Sequence, residues 1–146
     1  MDLARLESQI KQAEGICLTA YKDSLGLWTA GVGHLLDQKR DWTGVRFSLA
    51  QVAAWLEDDL ITAQKLSNSL LEWPAMDTDA RQNALIELVF NMGLSHWKQF
   101  GLCRKALYEK NWPEASKQLL SSLWAKQVGP IRSKRLAKQI LSGDFA

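Results

Sequence analysis

The sequence predicts an α+β protein that is mostly helical, with a small N-terminal β-hairpin lobe joined by a long helix to a larger helical lobe. Three observations support this fold class. Apolar residues recur at helical spacing over most of the 146-residue chain. Two short stretches, 17–22 and 27–34, instead have the character of strands and flank the turn sequence Asp23-Ser24-Leu25-Gly26. Residues that cap helices then recur at intervals along the remaining chain.

These elements predict one domain over residues 1–146 with three parts. The β-containing lobe covers about residues 15–47, and the connecting helix covers 48–72. The larger helical lobe combines residues 73–146 with the N-terminal helix over 2–14.

The N-terminal helix has a recognisable start, face and end. Asp2 is a suitable N-cap, and Gly15 is placed to end the helix. Glu14 falls close to the apolar face, one turn beyond its last large residue. That face is formed by Leu3, Leu6, Ile10 and Ala13.

The connecting helix begins at Ser48, which forms a capping-box pattern with Gln51. We expect it to run to about Leu71 and to be ended by Trp73-Pro74, because the residue before a proline avoids helical geometry. Its apolar face is formed by Val52, Leu56, Leu60, Ala63 and Leu70.

Capping residues and glycines predict the helices of the remaining chain. Thr78-Asp79 begins a helix that is apolar on most sides and closes at Gly93, as expected for a central core helix. Further helices are predicted over 102–110, 113–123 and 131–141.

Composition excludes several classes of protein. The net charge of +2 is too small to indicate a nucleic-acid binder, although residues 101–146 carry nine basic and three acidic side chains. This basic segment either forms a solvated face or helps to hold an anionic polymer by long-range attraction.

Cys17 and Cys103 cannot form a disulfide framework, and the sequence lacks metal-ligand spacings, so we expect free thiols, no metal and no cofactor. The charged N-terminus and the absence of a long apolar run predict a soluble cytoplasmic protein without export signal or membrane insertion.

One segment carries groups suited to glycoside cleavage, which needs a protonated carboxylic acid and an ionised carboxylate. Glu14 lies at the negative end of a helix near its apolar face, and both surroundings disfavour the ionised form. Asp23 lies in a polar turn, where the carboxylate stays charged at neutral pH. The residue types alone favour a solvated helix end and an ordinary turn aspartate, since Asp is a preferred turn residue.

Thr29 strengthens the catalytic interpretation. Gly31 and Gly33 weaken the strand that follows it, which suggests that a polymer or a catalytic water approaches closely there. Strict alternation would put Thr29 on one face and His34 on the other. The two glycines do not make a dinucleotide fingerprint, because a third glycine and a following helix are missing.

The spacing of these groups resembles a known family. Glu14 is followed after eight residues by Asp23, which is followed after five by Thr29, and Gly31-Val32-Gly33-His34-Leu35 comes next. This pattern resembles the phage T4-type lysozymes, glycoside hydrolase family 24. The resemblance extends more loosely over nearly the whole chain, through Phe90-Asn91-Met92-Gly93, Trp112-Pro113-Glu114-Ala115, Trp124, Arg132 and Arg135.

The resemblance implies a muramidase that hydrolyses the β-1,4 bond between N-acetylmuramic acid and N-acetylglucosamine in peptidoglycan. Glu14 would be the general acid, and Asp23 and Thr29 would hold the attacking water, which gives inversion. Positions matching the family's sugar cleft are Leu35, Phe90, Cys103 and Gln118. Cys103 and Gln118 depart from the Ser and Asn more common in the family, and a thiol is the poorer hydrogen-bonding group.

Supporting residues are also implied. Arg132 resembles the family arginine that approaches Glu14, where its charge would favour the carboxylate and oppose the effect of the helix end. Asp59 follows Leu56 by three residues and precedes Ala63 by four, so it shares the apolar face of the long helix. An ion pair between His34 and Asp59, which the resemblance also implies, would join the hairpin to this helix and give His34 a structural rather than a catalytic role.

For biology, the resemblance implies a monomeric phage or prophage endolysin with no nucleic-acid partner. It would accumulate in the host bacterial cytoplasm and reach the cell wall through a separate holin.

Two alternative functions stay open. A lytic transglycosylase would not need the water-holding pair Asp23 and Thr29. A basic helical nucleic-acid-binding module would be expected to carry base-reading side chains, and the sequence offers no helix-turn-helix of that kind.

Overall fold

The computed structural model describes residues 1–145 and confirms a mostly helical α+β fold. Within these residues, none of the helices combines the length and apolarity needed to cross a lipid bilayer. The described part contains one three-stranded sheet and eight α-helices. In chain order they are α1 (Leu3–Glu14), β1 (Cys17–Lys22), β2 (Trp28–Gly31), β3 (His34–Leu35), α2 (Leu49–Asn68), α3 (Asp79–Met92), α4 (Leu94–Trp97), α5 (Gly101–Tyr108), α6 (Trp112–Leu120), α7 (Leu123–Val128) and α8 (Pro130–Ser142).

The chain divides into two compact units. The sheet unit is Glu7–Thr62, and the helical unit is Met1–Leu6 together with the chain from Ala63 onward. Helices α1 and α2 therefore contribute residues to both units.

The sheet is antiparallel, with strand order β1-β2-β3. Strands β1 and β2 flank the predicted turn that begins at Asp23, whose backbone oxygen accepts a hydrogen bond from the N–H of Gly26 at 2.9 Å. An irregularity lies in β1 between Cys17 and Tyr21. Beyond it, Tyr21 pairs with Thr29, so the register close to the turn is well defined.

The prediction of a single strand over residues 27–34 is wrong. The chain reverses at Val32-Gly33, and His34–Leu35 return as β3. Gly31 and Gly33 have φ values of 66° and 69°, a region that favours glycine over other residues. The predicted separation of His34 from Thr29 nevertheless persists, because His34 pairs with Ala30 while Leu35 pairs with Thr29.

Partly buried aromatic side chains pack around one core cluster of the sheet unit. They surround the small buried residues Ala20 and Ala30, together with Leu36. The ring of Phe47 lies 4.7 Å from that of Trp55 in an edge-on arrangement, which is a favourable geometry for aromatic pairs. Packing against this core are Trp28, Trp42, Phe47 and Trp55.

Helix α3 is the predicted central helix of the helical unit. The hydroxyl of Thr78 caps it by accepting a hydrogen bond from the N–H of Arg81 at 3.2 Å. Gly93 ends it with a φ of 81°. Most residues between these ends are buried, including the whole run from Ala84 to Val89, so the helix has no solvent-facing side of the usual width.

Three helix boundaries differ from the prediction. Helix α2 ends at Asn68, before Trp73-Pro74, and Trp73–Ala75 forms a separate 3-10 turn. The predicted helix over 113–123 ends earlier, at Leu120, and α7 follows it as a separate helix that begins where the Ser122 hydroxyl accepts from the N–H of Ala125. The short helix α4 had no counterpart in the prediction.

Candidate active site

Glu14 is the last residue of α1 and lies against a glycine of the sheet. The helix ends there because Gly15 adopts a φ of 71° and donates its N–H to the carbonyl of Lys11 at 2.8 Å. A Cβ added at Gly33 would lie 3.4 Å from Oε2 of Glu14. The group that approaches this glycine is therefore the half-buried carboxyl of Glu14.

Gly31 is approached by another side chain of the protein. A Cβ added there would lie 3.1 Å from Cγ1 of Val52 in helix α2. The sequence predicted that a polymer or a water approaches these glycines. In the structure, the atoms next to them belong to the side chains of Val52 and Glu14. The two glycines thus have packing roles beside Thr29, in addition to their role in the chain reversal.

Asp23 is anchored by the backbone of its own turn. Its Oδ1 accepts hydrogen bonds from the N–H groups of Leu25 and Leu27, both at 2.9 Å. Among residues 1–145, no hydrogen-bond donor contacts the other carboxylate oxygen, Oδ2. One oxygen therefore fixes the orientation of the carboxylate, and the second is open to a ligand or a water.

Thr29 is tied to the same backbone residue as Asp23. Its hydroxyl donates to the carbonyl of Leu27 at 3.0 Å, and that carbonyl also accepts the backbone N–H of Asp23 at 2.9 Å. Because the hydroxyl hydrogen is engaged in this way, Oγ1 is left as an acceptor. Thr29 is 3% exposed, so its oxygen is held rigidly.

A row of three side chains crosses the sheet at Thr29. Tyr21 on β1 and Leu35 on β3 both pair with Thr29, which puts the three side chains on one face. Leu35 and Tyr21 are 56% and 37% exposed, whereas Thr29 is buried between them. Leu35, predicted as a substrate contact, therefore lies beside one of the predicted catalytic residues.

Tyr21 is the site residue that the sequence analysis missed. Burial raises the pKa of its hydroxyl, and the negative charges of Cys17, Glu14 and Asp23 raise it further. Both predicted catalytic carboxyls thus act electrostatically on this phenol. The signal was available in the hairpin pairing, since the residue two before Asp23 lies opposite Thr29.

His34 and Asp59 form the predicted pair. Nδ1 of His34 lies 2.8 Å from Oδ2 of Asp59. The imidazole also stacks on Trp55, with ring centroids 4.4 Å apart and an interplanar angle of 9°. These contacts join strand β3 to helix α2 and give His34 a structural environment on the face opposite Thr29.

Two predicted sugar contacts of the helical unit meet at one cavity. Cys103 and Gln118 both line a surface cavity of about 560 Å³ that also includes Phe100 and Trp124. Burial raises the pKa of the Cys103 thiol to about 12, and its Sγ lies 3.5 Å from the carbonyl of Ala115. The Cys103 thiol is already engaged and 2% exposed, so it is poorly suited to contact a ligand directly.

The side-chain amide of Gln118 is also engaged, donating to Oε1 of Glu114 at 2.8 Å. Phe90 lies half-buried in helix α3 and is not part of the cavity lining. Their roles as substrate contacts, together with that of Cys103, stay predictions.

Arg132 lies in a group of charged residues. Its Nε is 3.8 Å from Oε2 of Glu87, a buried carboxylate that also accepts two hydrogen bonds from Arg135 at 2.8 and 2.9 Å. Arg132 is itself 8% exposed. Its predicted approach to Glu14 stays a prediction.

A small, mostly helical α+β protein with one carboxyl at a helix end and another in a hairpin turn has the parts of a glycoside hydrolase. Residues 11–139 match the family described as Phage lysozyme. The chain therefore belongs to the phage lysozyme family, and it is a glycoside hydrolase of the lysozyme type with peptidoglycan as its substrate.

Relatives cover nearly the whole chain. It is 30% identical to "Probable T4-type lysozyme 1" of Dictyostelium discoideum, over 98% of this chain and 97% of that protein. It is 31% identical to "Endolysin" of Salmonella phage P22, over 82% and 80% of the two chains. It is also 26% identical to "Pre-baseplate central spike protein Gp5" of Enterobacteria phage T4, over 96% of this chain and 28% of that longer protein.

Proposed function

We propose that this lysozyme is a phage or prophage endolysin that hydrolyses the β-1,4 bond between N-acetylmuramic acid and N-acetylglucosamine with inversion. The endolysin role is supported by the similarity to an endolysin of Salmonella phage P22. The catalytic assignment is supported above all by one observation, namely that Asp23 and Thr29 are both hydrogen-bonded to Leu27.

Glu14 is the general acid in this proposal. Its carboxyl lies at the C-terminal end of α1, where a Cβ at position 33 would come within 3.4 Å of Oε2. The acid transfers its proton to the bridging oxygen as the bond from that oxygen to the anomeric carbon breaks.

Asp23 and Thr29 hold the attacking water. Oδ2 of Asp23 and Oγ1 of Thr29 are both acceptors, so one water can donate a hydrogen to each of them. Its lone pair then points away from both and attacks the anomeric carbon, while Asp23 accepts the proton released. Attack on the face opposite the departing oxygen inverts the configuration.

Substitution of the acid tests the assignment. Glu14→Gln keeps the shape of the side chain but removes the transferable proton, and we expect clearing of purified peptidoglycan to slow by at least ~100-fold. Glu57→Gln is the matched control, because Glu57 is an exposed glutamate on α2 of the same unit. Full activity of the Glu14→Gln protein would reject Glu14 as the acid.

The products distinguish the competing reactions. Hydrolysis with inversion gives reducing ends that carry one added water and appear first as the α-anomer. An anhydro product would instead identify a lytic transglycosylase. Salt-dependent affinity for DNA without any action on the wall would favour a nucleic-acid-binding module.

The route to the wall is part of the same proposal. We expect a monomer that accumulates in the host cytoplasm and needs a holin to reach peptidoglycan. Expression in a bacterial host should therefore leave cells intact until a holin is co-expressed or the membrane is permeabilised. Lysis at the same rate without either treatment would reject the holin requirement.

A further inference from the structure

Tyr21 is the strand partner of Thr29, one of the two residues proposed to hold the attacking water. Tyr21 and Thr29 are paired across β1 and β2, so their side chains extend from the same face of the sheet. Tyr21 is 37% exposed. Among the hydrogen bonds formed within residues 1–145, none involves its hydroxyl, which leaves one donor and one acceptor for a ligand.

The charges around this phenol keep it neutral. Burial and the negative charges of Cys17, Glu14 and Asp23 all raise the pKa of Tyr21 above its ordinary value of 10.0. The hydroxyl therefore retains its hydrogen at neutral pH and acts as a donor beside two carboxyl groups, which in their ionised form can only accept.

The shape of the sheet face suits a sugar ring. Thr29 is buried at the middle of the row, while Tyr21 and Leu35 are exposed on either side of it. A hexosamine ring between them would meet an aromatic ring on one side and an aliphatic side chain on the other. Its hydroxyl and acetamide oxygens are acceptors, which the phenol can satisfy.

We propose that Tyr21 contacts the substrate directly and that its hydroxyl donates a hydrogen bond to the N-acetylated sugar bound over Thr29. This inference rests on the proposed function, because it takes Asp23 and Thr29 as the water-holding pair. It adds a residue that binds the glycan at the point of cleavage.

Tyr21→Phe removes only the hydroxyl and keeps the aromatic ring. We expect kcat/KM on soluble, uncross-linked peptidoglycan fragments to fall about 3- to 10-fold, as for the loss of one neutral hydrogen bond. Tyr108→Phe is the matched control, because Tyr108 is the only other tyrosine and is exposed on α5 of the helical unit. Equal kcat/KM for the wild type and Tyr21→Phe would overturn the proposal.

A binding measurement separates contact from an indirect effect. In the Glu14→Gln background, Tyr21→Phe should weaken affinity for the same fragments by a similar factor in calorimetry. A loss of kcat with unchanged affinity would mean that Tyr21 acts through the carboxyls, and it would overturn direct contact.

An NMR titration tests the same contact without the Tyr21→Phe substitution. In the double variant Glu14→Gln/Tyr108→Phe, Tyr21 is the only tyrosine, so its NMR signals should shift when the fragments are added. Unshifted signals at saturating fragment concentration would overturn the contact. Activity of Glu14→Gln equal to that of the wild type would instead reject the proposed function, and the inference with it.

Discussion

Asp23 and Thr29 are hydrogen-bonded to the two polar groups of one backbone residue, Leu27. The N–H of Leu27 donates to the carboxylate of Asp23, and the carbonyl of Leu27 accepts from the hydroxyl of Thr29, at 2.9 and 3.0 Å. The relative position of the two side chains is therefore set by a tight turn and the first residues of β2. Side chains held in this way are already oriented before a substrate binds, which is what positioning of a water requires.

Asp23→Asn should keep the hydrogen bonds that orient the side chain but remove the negative charge that the reaction needs. The amide oxygen can still accept from Leu25 and Leu27, so we expect a nearly unchanged free energy of unfolding in urea. The negative charge that receives the proton of the water is lost, and we expect activity on peptidoglycan to fall by at least ~100-fold. Asp58→Asn, at an exposed position of α2, is the control. Activity within a few-fold of the wild type would contradict the assignment of Asp23.

The fold was largely predictable because its signals are local. Asp2, Ser48 and Thr78 each accept a backbone hydrogen bond at the start of a helix, as their positions before apolar patterns predicted. The chain reversal at Gly33 was missed, because the same alternation of residues fits one long strand or two short paired strands. Apolar spacing also continues across Ser122, and only the capping by its hydroxyl reveals a break there.

Part of the candidate site follows from spacing along the chain and from the family resemblance. Glu14, Asp23 and Thr29 were predicted in this way, and their catalytic roles stay predictions. His34 was paired with Asp59 because Asp59 shares the apolar face of the long helix and because the resemblance also implies the pair, and the two side chains do lie 2.8 Å apart. Tyr21 was missed because its place opposite Thr29 depends on the register of β1 against β2, and that register was not worked out from the turn. The partners of Cys103 could not be foreseen, since its contact with Ala115 joins two different helices.

Gly33→Ala should impair activity beyond its effect on stability. The added methyl group would lie in van der Waals contact with the proposed acid, 3.4 Å from Oε2 of Glu14, and would restrict its movement and its access to water. The φ of 69° adds strain of about 1–2 kcal/mol. Gly44→Ala is a matched control, because it has a φ of 74° and no atom within 4 Å of the added Cβ. We expect similar destabilisation in both proteins and loss of turnover only in Gly33→Ala. Equal turnover of the two variants would contradict an effect of position 33 on the proposed acid.

The two thiols should differ sharply in reactivity. Cys103 is 2% exposed and burial raises its pKa to about 12, so it is protonated and shielded at neutral pH. Cys17 is half-buried. We expect iodoacetamide to add one carbamidomethyl group to the native protein, at Cys17, and two groups to the unfolded protein. Rapid modification of Cys103 in the native protein would contradict its burial.

Cys103 should also contribute to the loss of stability in alkali. Its pKa in the folded protein, about 12, exceeds the ordinary value of 9.0, so its contribution is complete below pH 9 and declines as the pH rises from 9 towards 12. The limiting slope for one such group is about 1.4 kcal/mol per pH unit. Cys103→Ala should remove this part of the slope when the free energy of unfolding is measured between pH 8 and pH 10, values chosen to bracket the ordinary pKa. Parallel curves for the two proteins would contradict the shift.

Gly143→Ala should destabilise the helical unit through a clash with a buried guanidinium. Arg81 donates to the carbonyls of Ile140 and Leu141 at the end of α8, at 2.8 and 3.1 Å, and pairs with Asp77. A Cβ added at Gly143 would lie 2.8 Å from Nη1 of Arg81, so the guanidinium would have to leave these partners. Loss of hydrogen bonds from a charged, buried group costs about 1.5–3 kcal/mol each.

The control for this variant is Gly15→Ala, which has a φ of 71° and no atom within 4 Å of the added Cβ. Gly15 and Gly143 each follow the last residue of a helix and donate the N–H to the carbonyl four residues earlier. Both substitutions therefore put alanine at a helix end with positive φ, and the difference between their free energies of unfolding reports the clash with Arg81. We expect Gly143→Ala to be the less stable by at least ~1.5 kcal/mol in urea denaturation. A second substitution, Arg81→Met, should bring the effect of Gly143→Ala close to that of Gly15→Ala, because the guanidinium that collides with the Cβ is gone. If the gap between the two alanine variants survives in the Arg81→Met background, the contact between Gly143 and Arg81 is not its cause.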